Sequence, residues 1–234
     1  MPELSSFPIT ERWPASDPNL LQLYAAPTPN GVKISIMLEE TGLPYEPHFI
    51  DIGIGEAKDP AFVSLNPNGR IPAIIDPMGP GNKPIGLWES GTILIYLADK
   101  TGQLLPSDPG KRYEVLSWVL FQASGLGPTF GQLGYFLRRG GSDGNHTQSQ
   151  QRFAEEAKRL LRILDLRLAD RDWIADDYSI ADIATLGWVN AIIYKYGAGG
   201  ILRFEDYSNV QGWLDRGLMR PAVQRGLNIP ARPA

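Results

Sequence analysis

The 234-residue chain contains no cysteine. That excludes a disulfide scaffold, a thiolate metal site and a thiol nucleophile belonging to the protein itself. Histidine is scarce too, with only His48 and His146 far apart in the sequence. So sparse and separated a supply argues against a histidine-based zinc site or a Ser-His-Asp triad, and no metal is expected. Thiol-based redox or nucleophilic chemistry here is expected to use a group the protein does not own. No apolar run reaches the ~18–20 residues that a membrane span requires. Residues 1–19 carry Pro, Ser and acidic residues without the apolar core of a secretory signal. They read as a short N-terminal extension, a kind of segment that is poorly ordered unless tied down. The expected location is the cytoplasm. The net charge of −4 is mild and there is no basic stripe, so neither nucleic acid nor a membrane is an expected partner. What is present, 43% hydrophobic and 21% charged residues, suits a soluble globular chain of one large domain or two modest ones.

The most informative stretch runs from Asn66 to Leu97. A strand candidate begins on the X-Pro bond Ile71-Pro72 and runs to Asp76. A Gly/Pro-rich turn follows, then a second strand candidate, Ile85 to Trp88, which meets Glu89-Ser90 and an apolar helix to Lys100. Upstream, Leu20 to Ala26 reads as a buried strand, Pro27-Thr28-Pro29-Asn30-Gly31 breaks it, Val32 to Glu40 reads as a helix, and Tyr45 to Ile52 as another strand. The order βαβ followed by a hairpin and a last helix predicts a right-handed parallel crossover joined to antiparallel strands in one mixed four-stranded sheet. Thr101 to Gly110 has linker composition. Beyond it the chain reads as helical, with Phe153, Ala157, Leu160, Leu161, Leu164 and Leu168 at the offsets of one helix face. Ser179-Ile-Ala-Asp182 fits a capping box ahead of the apolar run Ile183 to Ile193. The expected division is an extension over 1–19, an α/β domain over 20–103, a linker over 104–110, an all-α domain over 111–226 and a tail over 227–234.

Three constellations carry chemistry, and each has a plainer structural reading. Only ~5% of X-Pro bonds are cis, so base rates favour a trans Pro72 at a strand start. A cis bond would instead present the Ile71 backbone to an extended ligand. Ser90 reads as an ordinary helix N-cap, or as a hydroxyl that holds a ligand carboxylate beside the positive end of the helix, with Glu89 facing an ammonium. Thr28 and Asn30 read as turn and cap residues, or as donors to a ligand sulfur. Donors to a thiolate favour its charged form and lower the thiol pKa. Trp188, Trp213 and His48 read as structural.

Taken together, Asn66-Pro-Asn-Gly-Arg-Ile-Pro-Ala-Ile-Ile-Asp76, Trp88-Glu-Ser-Gly91 and Tyr178-Ser-Ile-Ala-Asp182 resemble the glutathione transferase superfamily, from about Leu20 to Pro221. Ala26-Pro-Thr-Pro-Asn-Gly31, Gly125-Leu-Gly-Pro128 and Gly131-Gln132 look like its Nu class and the related fungal nitrogen-regulator-like transferases. The resemblance implies a thioredoxin-like domain followed by an all-α substrate domain, and a homodimer. It implies that Pro72 is cis and that Ile71 pairs with the cysteinyl part of glutathione. Glu89 and Ser90 would hold the γ-glutamyl head, Arg70 would reach the glycyl end, and Thr28 and Asn30 would sit by the sulfur as the catalytic pair. The expected activity is attack of bound glutathione thiolate on a small disulfide or an electrophile, with glutathione as co-substrate, glutathione disulfide as a further ligand and no metal. Phe130, Gln132 and Arg138, with Leu126, Tyr135 and Phe136, are candidates for the wall of the second substrate, or for helix packing. The alternative is a glutathione-binding regulatory protein of the same fold with little turnover. One departure stands out: where the subclass often has Gln or His after Gly53-Ile-Gly-Glu56, this chain has Ala57 followed by Lys58.

Overall fold

A computed structural model of the chain describes residues 4–139 and 147–232. His146 lies outside the described residues. The chain divides into two compact units, Met1–Thr101 with Pro221–Ala234, and Gly102–Arg220.

The first unit is built on a four-stranded mixed sheet. Its strands are β1 (Leu21–Ala25), β2 (Tyr45–Phe49), β3 (Ala73–Asp76) and β4 (Ile85–Trp88), in the order β2-β1-β3-β4. β1 pairs parallel with β2 and antiparallel with β3, and β3 pairs antiparallel with β4. The two central strands, Leu-Gln-Leu-Tyr-Ala and Ala-Ile-Ile-Asp, are buried throughout. Pro47 sits on the edge strand β2, where a missing N–H is tolerated. The helices α2 (Gly31–Thr41) and α4 (Ser90–Thr101) complete the order expected from the sequence, and α1 (Ile9–Arg12) and α3 (Pro60–Leu65) are additions to it. α2 stops at Gly42, whose φ of 69° places it in the left-handed region that glycine adopts without penalty. His48 is a structural residue: it is buried, stacks on Tyr24 with ring centroids 4.6 Å apart, and meets Gln22 Oε1 through Nε2 at 2.7 Å.

Both ends of this unit differ from the sequence reading. Residues 4–19 of the expected extension are tied down. Leu4 and Ile9 are buried in one cluster with Tyr24, Ile50, Phe62 and Ala73, and Phe7 and Trp13 pack against it. At the other end, α11 (Pro221–Gly226) belongs to the sheet-bearing unit, not to a helical domain reaching 226. It packs on α2, where Ser35 Oγ donates to Gly226 O at 2.6 Å. A Cβ on Gly226 would stand 2.7 Å from Ile36 Cα, so only glycine permits the approach.

The second unit is helical: α5 (Pro109–Phe121), α6 (Gly127–Arg139), α7 (Thr147–Arg167), α8 (Ile180–Asn190), α9 (Gly199–Leu202) and α10 (Ser208–Leu218). α5 starts inside the expected linker, because Asp108 caps it by accepting the Lys111 N–H at 2.9 Å and Pro109 fits its first turn. π-helical segments, Gln122–Leu126 and Ala191–Lys195, join α5 to α6 and extend α8. On α7, Ala157, Leu160, Leu161 and Leu164 are buried as their spacing requires. The capping box forms: Ser179 caps α8 and the Asp182 side chain returns to the Ser179 N–H. The fully buried Asp182 also accepts from Ile174 N at 3.0 Å and from Trp213 Nε1 at 2.8 Å. Burial raises its pKa and these donors oppose the rise, the balance leaving it raised to about 6. Gly127 and Gly131 have a packing reason, since Cβ atoms there would stand 3.3 and 3.2 Å from the Trp188 ring system. Among the described residues, no helix is long and apolar enough to cross a membrane.

Candidate functional site

One row of the sheet organises the site. Tyr24 on β1 faces Ala73 on β3, and Ala73 faces Trp88 on β4. Adjacent strands lie only ~4.8 Å apart in the pairing direction. The loop leaving β1, the residues entering β3 and the residues leaving β4 therefore emerge side by side at one sheet end. Those are Pro27–Gly31, Arg70–Pro72 and Glu89–Ser90, three segments more than fifteen residues apart in sequence.

The first segment is a tight loop. Ala26 O accepts from Thr28 N at 2.7 Å and Thr28 O accepts from Val32 N at 2.9 Å. Thr28 Oγ1 accepts from the Gly31 N–H at 3.3 Å, so this hydroxyl serves the start of α2 as an acceptor. Asn30, although it stands at the N-cap position, makes no side-chain capping bond. Gly31 is required by space: a Cβ there would lie 2.0 Å from Ala26 O.

In the second segment the Ile71-Pro72 peptide is cis, as the resemblance implied and local base rates did not. β3 begins at Ala73, two residues later than expected, so Ile71 and Pro72 lie outside the paired ladder. Asn66, buried and not singled out in the sequence, shapes the approach. Its Nδ2 donates to Arg70 O, its Oδ1 accepts from Asn68 N at 3.0 Å, and its O accepts from Gly69 N at 2.9 Å. Gly69 has a φ of 59°, which glycine supplies most readily. The Arg70 side chain is exposed. Ala57 is buried in the core cluster, which explains why an apolar residue suits that position, and Lys58 Nζ donates to Asn68 O at 3.4 Å.

The third segment departs from the expected capping. Ser90 is the first residue of α4, not its cap. Glu89 O instead accepts the Ile93 N–H at 2.9 Å. Glu89 has a φ of 68°, a left-handed conformation uncommon for a non-glycine residue, and is exposed. Such outliers cost ~1–3 kcal/mol and cluster at functional sites. Ser90 is only 8% exposed, and its Oγ accepts from Lys33 Nζ at 3.1 Å. Lys33 reaches it from the apolar helix α2 and is 2% exposed. Burial lowers its pKa to about 7, opposed by the charge of Glu89. Lys33 was not singled out in the sequence either. The signal was a lone cation inside the apolar run Val32–Leu38.

The second-substrate candidates separate by helix face. Phe130, with Leu126 and Leu133, has no exposed surface. It belongs to the inner face of α6 and is withdrawn from the wall. Gln132 and Arg138 are exposed, and Arg138 donates to Gly134 O at 3.2 Å and lies over the Tyr196 ring at 4.5 Å.

The sheet end thus gathers two hydroxyls whose oxygens already accept from the protein, a segment outside the ladder, an exposed carboxylate and the N-terminus of α4. Such a set can hold an extended zwitterionic ligand by its backbone, its carboxylate and its ammonium.

The chain matches the family "Glutathione S-transferase, N-terminal domain" over residues 20–99 and "Glutathione S-transferase, C-terminal domain" over residues 129–221. It is 38% identical over 216 residues to the disulfide-bond oxidoreductase YfcG of Escherichia coli, covering 89% of this chain and 94% of that one. A glutathione transferase of Burkholderia graminis, solved with two glutathione molecules bound per subunit, is 56% identical with a TM-score of 0.98, covering 100% of this chain and 98% of that one. One from Pseudomonas putida, solved with one glutathione disulfide bound per subunit, is 50% identical with a TM-score of 0.95, covering 97% and 99%. With both family domains matched in order on this sheet-and-helix architecture, the chain belongs to the glutathione transferase family.

Proposed function

We propose that the protein is a glutathione-dependent disulfide reductase of the Nu class, acting as a homodimer. The observation that carries this reading is the Tyr24–Ala73–Trp88 row, which sets Thr28, Ile71 and Glu89–Ser90 at one sheet end. Ile71 pairs with the cysteinyl backbone of glutathione. Glu89 takes the γ-glutamyl ammonium, Ser90 its carboxylate, and Arg70 the glycyl carboxylate. Thr28 and Asn30 donate to the sulfur and favour its thiolate.

With no cysteine in the chain, every sulfur in the reaction belongs to ligand or substrate. A glutathione thiolate attacks one sulfur of a disulfide, its S–S bond breaks, and a substrate thiolate leaves as a mixed disulfide forms. A second glutathione thiolate attacks the glutathione sulfur of that mixed disulfide, releasing the other substrate thiolate and leaving glutathione disulfide. Two glutathiones supply the two electrons, and the leaving thiolates take up the protons. The two states seen in the Burkholderia and Pseudomonas relatives, paired glutathiones and glutathione disulfide, support this sequence. The protein's own contribution is positioning and thiolate stabilisation.

Thr28→Ala and Asn30→Ala are expected to lower glutathione-dependent reduction of 2-hydroxyethyl disulfide by ~10–10²-fold, as loss of one donor to a developing anion does elsewhere. Wild-type rates in both variants would remove these residues from the mechanism. Ser90→Ala is expected to weaken glutathione binding in calorimetry by ~10–10²-fold, the equivalent of one charged hydrogen bond. Unchanged affinity would sink its assignment. A protein that binds glutathione but reduces neither a disulfide nor an electrophilic aromatic would be a binding protein rather than an enzyme.

A further inference from the structure

A buried ammonium bonded to the first residue of α4 is unexplained by apolar packing. Lys33 is 2% exposed on a helix whose neighbours Val32, Ile34, Ile36 and Met37 are all buried. An apolar side chain would fill that space without the desolvation cost of an ammonium. Its Nζ instead donates to Ser90 Oγ at 3.1 Å, and Ser90 is the first residue of the twelve-residue helix α4.

An ammonium donates and does not accept. In the Lys33–Ser90 bond the serine oxygen is the acceptor, and its own proton remains to be donated elsewhere. We propose that Lys33 is a positioning residue for the ligand. It holds the Ser90 oxygen as an acceptor so that the hydroxyl proton goes to the α-carboxylate of a γ-glutamyl head group, and it adds a buried positive charge to the N-terminus of α4. This rests on the reading of Ser90 as a glutathione contact. Thr28 shows the same arrangement at the sulfur side, where the Gly31 N–H occupies its oxygen. Burial lowers the Lys33 pKa to about 7 and Glu89 opposes that shift. A ligand carboxylate adds a second negative charge and favours the ammonium further.

The test compares two ligands on the full chain by calorimetry: glutathione, and 4-aminobutyryl-Cys-Gly, which lacks only the α-carboxylate. The wild type is expected to prefer glutathione by ~10–10²-fold. Lys33→Met is expected to reduce that preference to a few-fold. In a Ser90→Ala background, Lys33→Met is expected to add less than its effect alone, because the two residues act as a unit. If Lys33→Met weakens both ligands equally, or neither, Lys33 is structural, the proposal is overturned and Ser90 keeps its assignment. If the wild type itself shows no preference, the reading of Ser90 as a carboxylate contact fails first, and this proposal with it. Should Lys33→Met fail to fold, Lys33→Gln, a neutral donor of similar volume, is judged on the ratio of the two affinities, and an unchanged ratio overturns the proposal.

Discussion

Replacing Asp182 by alanine is expected to lower the unfolding free energy by ~3–5 kcal/mol, a large share of the ~5–15 kcal/mol available to a folded domain. The carboxylate accepts from Ile174 N, Ser179 N, Ser179 Oγ and Trp213 Nε1. Alanine removes all the acceptors at once and leaves three N–H donors buried. Each such orphan costs ~1–3 kcal/mol, and partial relaxation keeps the total below their sum. The geometry also makes a graded prediction. An amide in place of the carboxylate retains one acceptor oxygen, enough for Ile174 and Trp213 but not for Ser179, so Asp182→Asn is expected to cost roughly half as much. Urea unfolding followed by Trp fluorescence measures both. An alanine variant as stable as the wild type would mean that the second unit does not depend on this carboxylate.

Gly31→Ala is expected to reduce turnover more than stability. Helix propensity, ~1 kcal/mol and chiefly the reduced freedom of the unfolded chain, favours alanine in a helix's first turn. Against it stands a contact that cannot be relieved by a side-chain rotation. The new Cβ would lie 2.0 Å from Ala26 O, a backbone atom, so the loop itself must move. Overpacking of this kind costs ~1–3 kcal/mol, which leaves a net change of stability near zero or a small loss. The loop that moves carries Thr28 and Asn30. A displacement of ~1 Å at reacting groups can cost ~10²-fold in rate. The expected result is a folded variant, by circular dichroism, with glutathione-dependent disulfide reduction lowered by about that ~10²-fold factor. A Gly31→Ala variant with wild-type turnover would show that the loop's position does not matter to the chemistry.

Much of this architecture was legible because it is local. The apolar runs at β1 and β3, the repeat of α7 and the Ser179–Asp182 box each depend on residues within a few positions of one another. Element ends were read less well. β3 starts at Ala73 rather than Ile71, and α5 starts within the expected linker. The extension at 1–19 was misread because Leu4, Phe7, Ile9 and Trp13 are apolar contacts only once the sheet provides the surface they cover. Pro221–Gly226 was placed with the helices because a short helix carries no mark of its partner. That partner is α2, nearly two hundred residues earlier. Phe130 was offered as a substrate contact because the face of α6 that turns inward depends on what packs against it.

The sequence by itself determined what this protein cannot do with its own atoms. Without cysteine and with two separated histidines, it must borrow its thiol, and its motifs already pointed to the tripeptide that lends one. Only the tertiary structure decided how the candidate site is assembled. The register Tyr24–Ala73–Trp88 brings three distant segments to one sheet end. The passage of Lys33 through an apolar helix sets a buried ammonium against the oxygen of Ser90, to which it donates. Neither is visible along the chain, because pairing register and burial are set by partners far away in sequence.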